Sequence, residues 1–262
     1  MSDTFLDRIV SAKRVSVDRK KAVDGEDVKL RAREVRSHGA GKSLHQALSR
    51  PDRTNIIAEI KRASPSKGII NAEIDIVTLA QSYSRGGAAA ISVLTEEQFF
   101  NGTLNDLIAA GNAVDLPILR KDFIIDEFQI YESAAAGADA ILLIVAVLTE
   151  NELNDFHRIA RNELGLDVVV EVHDAKELTA AVACGAFIIG VNNRDLRSFA
   201  VSLDVSRQLI GSRPANALII AESGITSRAQ IDELRALGFD GFLVGETLMR
   251  SGDAEYVLAR WV

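Results

Sequence analysis

Short apolar runs set off by small residues recur along this chain of 262 residues. Four of them open at a glycine: Gly87 to Leu94, Gly137 to Ile144, Gly185 to Val191 and Gly238 to Gly245. These glycines stand roughly fifty residues apart, too long for one strand–helix unit and right for two. Four further apolar runs lie between them, at 55–60, 116–119, 168–170 and 217–221. Runs that are apolar on both faces and bounded by turns read as strands of a parallel sheet buried from both sides.

Segments with helical spacing of apolar residues fill the gaps, at 76–83, 126–136, 150–164, 175–183, 205–210 and 228–237. Thr149, ahead of Glu150 and Glu152, and Thr226, ahead of the 228–237 segment, are the expected N-caps. Gly87, Gly137, Gly185 and Gly238 are the expected C-terminal cap glycines. Strands alternating with helices predict an α/β fold with right-handed crossovers, and eight such units match a closed (β/α)8 TIM barrel. An open doubly wound sheet is the runner-up. It calls for a glycine-rich turn after the first strand, where this chain has Lys61-Arg62-Ala63-Ser64. Ahead of strand one, Phe5, Leu6, Ile9, Val10, Val28, Leu30 and Val35 predict one or two helices. Residues 1–50 are therefore expected to form an N-terminal helical extension, packed on a single barrel domain spanning 1–262.

Composition narrows the function class. The net charge of −7 and a pI near 5.2 argue against a nucleic-acid partner, which needs a clustered basic footprint. They leave room for a local cationic pocket. The one cysteine, Cys184, has no disulfide partner and sits in an apolar context, so it is expected to be a buried structural thiol. Residues 1–21 carry no apolar run of the signal-peptide kind, and no run approaches the ~20 apolar residues of a membrane span. A cytoplasmic protein without a membrane partner is expected.

Barrel active sites are built from the C-terminal ends of the strands, and residues two apart in a strand share a face. At those ends Glu59 pairs with Lys61, Lys121 with Phe123, Glu171 with His173 and Asn192 with Arg194. Strand seven ends in Glu222-Ser223-Gly224. Any one such pair reads equally well as a structural ion pair. Five strands ending this way favour an acid–base site, because converging charges perturb one another's pKa values. A lysine acid there needs its pKa lowered, by burial or by a second cation such as Lys61. His173 is given a supporting role. The loops after strands seven and eight, with Gly224 and Gly245, offer backbone N–H groups to a phosphate, although glycine at a strand end is also ordinary turn chemistry. The loop 62–68 reads as a mobile lid or as a solvated loop. No zinc-type spacing, P-loop, nucleophile elbow or dinucleotide fingerprint is present, so no metal and no cofactor are expected.

At these residues the chain closely resembles the indole-3-glycerol phosphate synthase family of tryptophan biosynthesis. The resemblance is carried by Ile57-Ala58-Glu59-Ile60-Lys61-Arg62-Ala63-Ser64-Pro65-Ser66, Pro117-Ile118-Leu119-Arg120-Lys121-Asp122-Phe123, Glu171-Val172-His173, Ile189-Gly190-Val191-Asn192-Asn193-Arg194-Asp195-Leu196 and Ala221-Glu222-Ser223-Gly224-Ile225. It covers nearly the whole chain, including a leading helix at Phe5 to Val10. The resemblance implies decarboxylating ring closure of 1-(2-carboxyphenylamino)-1-deoxyribulose 5-phosphate to indole-3-glycerol phosphate. It implies Lys121 as general acid in ring closure, Lys61 on the anthranilate carboxylate and, as an alternative to Lys121, as the acid of the dehydration step, and Glu171 and Glu59 as proton acceptors. Asn192 would hold a hydroxyl or the developing indole, Arg194 would order the site, and Glu222 and Ser223 would complete the cluster. Phe123 and Leu243 would wall the aromatic ring, and Ser64, Gly224, Gly245 and Glu246 would hold the phosphate. Glu246 stands where many members carry a small hydroxyl residue, so its side chain is expected to turn away from the anion. The partner is a phosphorylated small molecule, and the chain is expected to be a monomer or weak homodimer. Other phosphate-binding barrels, a Schiff-base lyase using Lys121 and a non-catalytic barrel scaffold are the alternatives. Cys184 precedes a strand rather than ending one, which argues against an isomerase that needs a cysteine acid.

Overall fold

The computed structural model describes residues 4–39, 41–65 and 68–262. Ser66 and Lys67, in the loop after strand one, lie outside them. Eight parallel strands close into a barrel: β1 (Ile56–Ile60), β2 (Ala90–Leu94), β3 (Ile118–Lys121), β4 (Ala140–Ile144), β5 (Asp167–Val172), β6 (Ile188–Asn192), β7 (Leu218–Glu222) and β8 (Gly241–Val244). Each pairs with the next, and β8 closes on β1 through Ile56 opposite Phe242. This is the (β/α)8 barrel that the pattern predicts.

Helices return the chain between strands: α3 (Ile76–Arg85), α4 (Glu97–Phe100) with α5 (Leu104–Ala113), α6 (Glu127–Ala135), α7 (Glu150–Arg158), α8 (Ala175–Ala183), α9 (Asp204–Leu209) and α10 (Arg228–Leu237). The glycines Gly87, Gly137, Gly185 and Gly238 all take positive φ at helix ends, as left-handed caps do. Thr149 caps α7 in a reciprocal box with Glu152. At α10 the cap is Ser227, whose side chain accepts from the Gln230 N–H; Thr226 stands one residue earlier and bonds the Gln230 side chain instead. The predicted 150–164 helix closes on a π-helical turn at Ile159–Glu163. Helix α5 was not foreseen, although Thr103 and Asp106 form a capping box that marks its start. Cys184 is half-buried rather than buried, its Sγ donating to the Ala181 carbonyl.

Alternation along the strands separates two apolar layers. Ile57, Leu119, Val169, Ile188, Ile220 and Leu243 pack together inside the barrel, with Leu44 and Leu48 of α2 (Leu44–Leu48) in the same cluster. The alternate residues, such as Ile56, Ala58 and Ile60, join the helices in the larger layer outside.

The N-terminal segment is one long helix, α1 (Phe5–Ser37), lying along α6. It carries a lysine into the interior: Lys13 Nζ lies 2.7 Å from Asp122 and 3.6 Å from Glu96, and all three residues are buried. Asp122 also pairs with Arg120 at 3.0 Å, and Arg120 with Glu132 of α6 at 2.8 Å. The same carboxylate takes the Thr95 hydroxyl and the Phe123 N–H at 2.8 Å. Burial pushes the Asp122 carboxyl up, but Lys13 and Arg120 outweigh it and hold the group down at about 2. Removing one partner of a buried pair leaves the other charge uncompensated. Lys13→Ala is therefore expected to lower stability by about 3 kcal/mol in urea unfolding. A loss below about 1 kcal/mol would mean that the pair does not anchor α1.

Candidate active site

Above the apolar interior layers the inward positions change character. Glu59 follows Ile57 by two residues, Lys121 follows Leu119, Glu171 follows Val169, Asn192 follows Gly190 and Glu222 follows Ile220. One face of the barrel interior therefore passes from aliphatic to charged within a single pleat repeat. Register sets Asn192 opposite Glu222 and Glu222 opposite Leu243, while Glu171 stands opposite Gly190, one pleat repeat below Asn192.

The side chains form one network. Lys121 Nζ donates to Glu222 Oε2 at 2.9 Å and to Glu171 Oε2 at 3.2 Å. Asn192 Nδ2 donates to the other Glu171 oxygen at 3.0 Å, and its Oδ1 accepts from the Arg194 N–H. Lys61 Nζ lies 2.5 Å from Glu59 Oε1. Two glycines make room for this packing. A Cβ on Gly190 would stand 2.0 Å from Glu222 Oε1, and one on Gly245 would stand 2.2 Å from Glu59 Oε1. Gly245, expected to expose backbone to a phosphate, thus also seats a carboxylate.

A cavity of about 880 Å³ opens over the network, within the size range of small-molecule sites. It is lined by Glu59, Lys61, Ser64, Lys121, Phe123, Glu171, Asn192, Arg194, Ser223, Gly224, Leu243, Gly245 and Glu246, so the structure brings these expected residues together. Glu222 is the expected residue outside the lining; it lies beneath, against Lys121. Sequence reasoning missed much of the wall. Leu6 and Ile9 come from α1, Phe100 from α4, and Leu142 and Ile144 from β4. Apolar residues at these positions carry no chemical signal in a sequence. It also passed over Asn193, a buried amide whose Nδ2 donates to the carbonyls of Glu222 and Ser223 and whose Oδ1 accepts from the Ser206 N–H. That clamp fixes the turn after β7, where Ser223 holds φ 64° and Gly224 φ 80°. A left-handed serine is costly and persists where its surroundings over-determine it.

A family model described as indole-3-glycerol phosphate synthase matches residues 6–260. The chain belongs to the indole-3-glycerol phosphate synthase family. The indole-3-glycerol phosphate synthase of Syntrophobacter fumaroxidans is 45% identical over 263 residues, spanning 99% of this chain and 97% of its own. That of Carboxydothermus hydrogenoformans is 44% identical over 254 residues, spanning 95% and 96%. Among solved structures, 3-hexulose-6-phosphate synthase from Salmonella typhimurium superposes with a TM-score of 0.64 at 16% identity, covering 79% of this chain and 96% of that one. This last likeness shows the barrel fold alone.

Electrostatics in this member of the synthase family depart from one expectation. Burial pushes the Lys121 ammonium down, as expected for an acid, but Glu222, Glu171 and Glu59 outweigh it and the pKa is raised. Lys61, the second cation expected to lower it, is itself paired with Glu59. For Glu171, burial works upward, while Lys121, His173 and the Asn192 amide prevail and hold it below the ordinary range. For Glu222, burial and the neighbouring Glu171 prevail over Lys121 and push it up to about 7. Its Oε1 has no hydrogen-bond partner among the described residues. Glu246 forms an ion pair with Arg250 at 3.3 Å, one turn along α11 (Glu246–Arg250).

A carboxyl whose folded pKa is raised holds its proton while the unfolded chain releases one. Its cost therefore appears as pH climbs from about 4.5 and is complete above about 7. Glu222→Gln removes that cost, so the variant is expected to gain on the wild type by about 1–3 kcal/mol between pH 5 and pH 8 in chemical denaturation. A gap that does not change with pH would place the Glu222 pKa near its ordinary value. Gly190→Ala is expected to displace the Glu222 carboxyl and cut turnover by about 100-fold while the barrel stays folded by circular dichroism. Wild-type turnover in that variant would show that the Lys121–Glu222 contact is dispensable.

Proposed function

We propose that this chain catalyses the decarboxylating ring closure of 1-(2-carboxyphenylamino)-1-deoxyribulose 5-phosphate to indole-3-glycerol phosphate, carbon dioxide and water, a step of tryptophan biosynthesis. Family membership supports the reaction. The observation that carries the assignment of roles is Lys121 held between Glu171 and Glu222 at the floor of the cavity.

Ring closure needs a proton on the substrate carbonyl oxygen as that oxygen becomes a hydroxyl. Lys121, kept protonated by its carboxylates, is the acid in this reading. Glu222, its carboxyl pushed up to about 7 by burial and 2.9 Å away, is placed to return the proton to Nζ. A raised amine pKa also disfavours the Schiff-base alternative, which needs a neutral lysine. Lys61 takes the substrate's carboxylate and in doing so releases Glu59. Loss of carbon dioxide restores the benzene ring; in the dehydration that follows, the leaving hydroxyl takes a proton from Lys61 or Lys121, and the one C–H proton lost goes to Glu59 or Glu171. Asn192 orients Glu171 and a substrate hydroxyl, and Arg194 orders the loop through its contacts with Asn192 and the Phe199 carbonyl. Phe123 and Leu243 flank the aromatic ring.

The phosphate is assigned to Ser64 and to the backbone N–H groups of the turns at Ser223–Gly224 and Gly245–Glu246. The pairing of Glu246 with Arg250 supports a carboxylate turned aside from the anion. Among the described residues no helix is long and apolar enough to cross a membrane. We read the chain as one functional unit, cytoplasmic, acting as a monomer or weak homodimer on a phosphorylated small molecule.

The test is the purified protein with 1-(2-carboxyphenylamino)-1-deoxyribulose 5-phosphate in the presence of a chelator, followed by indole fluorescence. Wild type is expected to produce signal, and Lys121→Ala is expected to lose about 100-fold or more. No signal from wild type would overturn the reaction. Equal signal from both proteins would keep the reaction and move the acid to Lys61.

A further inference from the structure

Behind Glu171, outside the cavity lining, lies a line of titratable groups that the proposed chemistry leaves unused. His173 follows Glu171 by two residues and sits in the turn from β5 to α8. Its backbone N–H donates to Glu177 Oε2 at 2.7 Å, and its ring Nδ1 lies 3.0 Å from the same oxygen. Its Nε2 faces Glu171 Oε1 at 3.4 Å, is buried, and has no other partner among the described residues. One imidazole is therefore bracketed by two carboxyl groups on α8 and β5.

Hydrogen-bond chemistry limits what this arrangement can hold. An ionised carboxylate only accepts, so Glu177 requires a proton on Nδ1. With Nδ1 protonated, a neutral ring turns the lone pair of Nε2 toward Glu171. Two acceptors then oppose each other across 3.4 Å unless a proton lies between them. That proton resides on Nε2, giving an imidazolium beside a carboxylate, or on Oε1, giving a neutral pair.

We propose that His173 is a positioning residue for Glu171: clamped by Glu177, it shares one proton with the Glu171 carboxyl across the Nε2–Oε1 contact and so sets the pH above which Glu171 accepts a proton from substrate. The catalytic half rests on Glu171 being a proton acceptor. With the shared proton on Nε2, Glu171 meets substrate as a carboxylate. In turnover the substrate C–H bond breaks and an O–H bond forms on Glu171 beside the imidazolium, and loss of that proton to solvent restores the carboxylate–imidazolium pair.

Other groups facing the pair set its balance. Lys121 from β3 and the neutral Asn192 amide from β6 bond Glu171. Glu222 from β7 acts on both through space. Burial pushes the His173 ring down, yet Glu177, Glu171 and Glu222 together hold it above the ordinary range. Both directions place the resting proton on the ring.

Ring-labelled histidine NMR of the full chain, titrated from about pH 5 to pH 9, tests the coupling without substrate. His173 is identified by the resonance missing in His173→Asn. It is expected to carry its proton on Nδ1 when neutral, and its midpoint is expected to fall by at least about half a pH unit in both Glu171→Gln and Glu177→Gln. In the turnover assay His173→Asn is expected to keep KM within about twofold and to move the acid limb of kcat/KM upward by at least about half a unit. A midpoint that Glu171→Gln leaves unchanged overturns the shared proton. A His173→Asn profile superimposable on the wild type overturns the positioning role. Wild-type turnover by Glu171→Gln would remove Glu171 from the chemistry and overturn the catalytic half, even with the titrations coupled.

Discussion

Burying charge inside a barrel is the constraint on which the rest of this molecule turns. A lone carboxylate or ammonium in that interior is expensive, and the cost falls only when opposite charges and hydrogen bonds meet it there. Here Lys121 meets Glu171 and Glu222, and Lys61 meets Glu59. Every one of these groups is carried by the same pleat that buries Ile57, Leu119, Val169 and Ile220 below. The strands can thus be stable and reactive along a single face, with the change of role occurring over one alternation. The packing is close enough that Gly190 and Gly245 have no space for a methyl group.

The same requirement reaches outward to the first helix. Asp122 lies between Lys121 and Phe123, so the carboxylate that anchors Lys13 belongs to the segment that delivers the ammonium and a cavity wall. Arg120, one residue earlier, carries the network on to α6 through Glu132. Helix α1 then extends over the cavity, adding Leu6 and Ile9 to its lining and stacking Phe5 edge-on against Phe99 and Phe199. Docking of the N-terminal helix and placement of Lys121 are two consequences of one ion cluster. That is a physical reason for a barrel of this kind to hold a long helix ahead of its first strand.

These origins explain what could be read in advance. Strand count, topology and the polar strand ends are repeated, period-two features, and a pattern repeated eight times is hard to misread. The apolar runs stop at Leu119 and Ala221, and the polar ends assigned to strands three and seven carry β3 on to Lys121 and β7 to Glu222, because an inward charge that finds partners extends a strand as well as a leucine does. The wall formed by Leu6, Ile9 and Phe100, and the Asn193 clamp, depend on which distant segments meet, and no local pattern encodes that. The direction of the Lys121 shift failed for the same reason. Burial alone lowers an ammonium, and only the distances to Glu222, Glu171 and Glu59 reveal that the opposite influence prevails.

A site whose acids and bases are one another's counter-ions has a low resting cost and a built-in trigger. Without substrate, Lys61 neutralises Glu59 and Lys121 neutralises Glu171. On the proposed chemistry, a substrate that brings its own carboxylate competes for Lys61, and that exchange leaves Glu59 without its counter-ion at the moment a proton must be accepted. The chain's overall charge of −7 works against such an anion at long range. The attraction must therefore come from close by, where water is displaced and the effective dielectric constant is low. Lysines already desolvated by their glutamate partners meet that need, because most of the cost of stripping their water was met when the barrel closed. On the proposed chemistry, the ion pairs that let this barrel fold are the ones that substrate must rearrange in order to react.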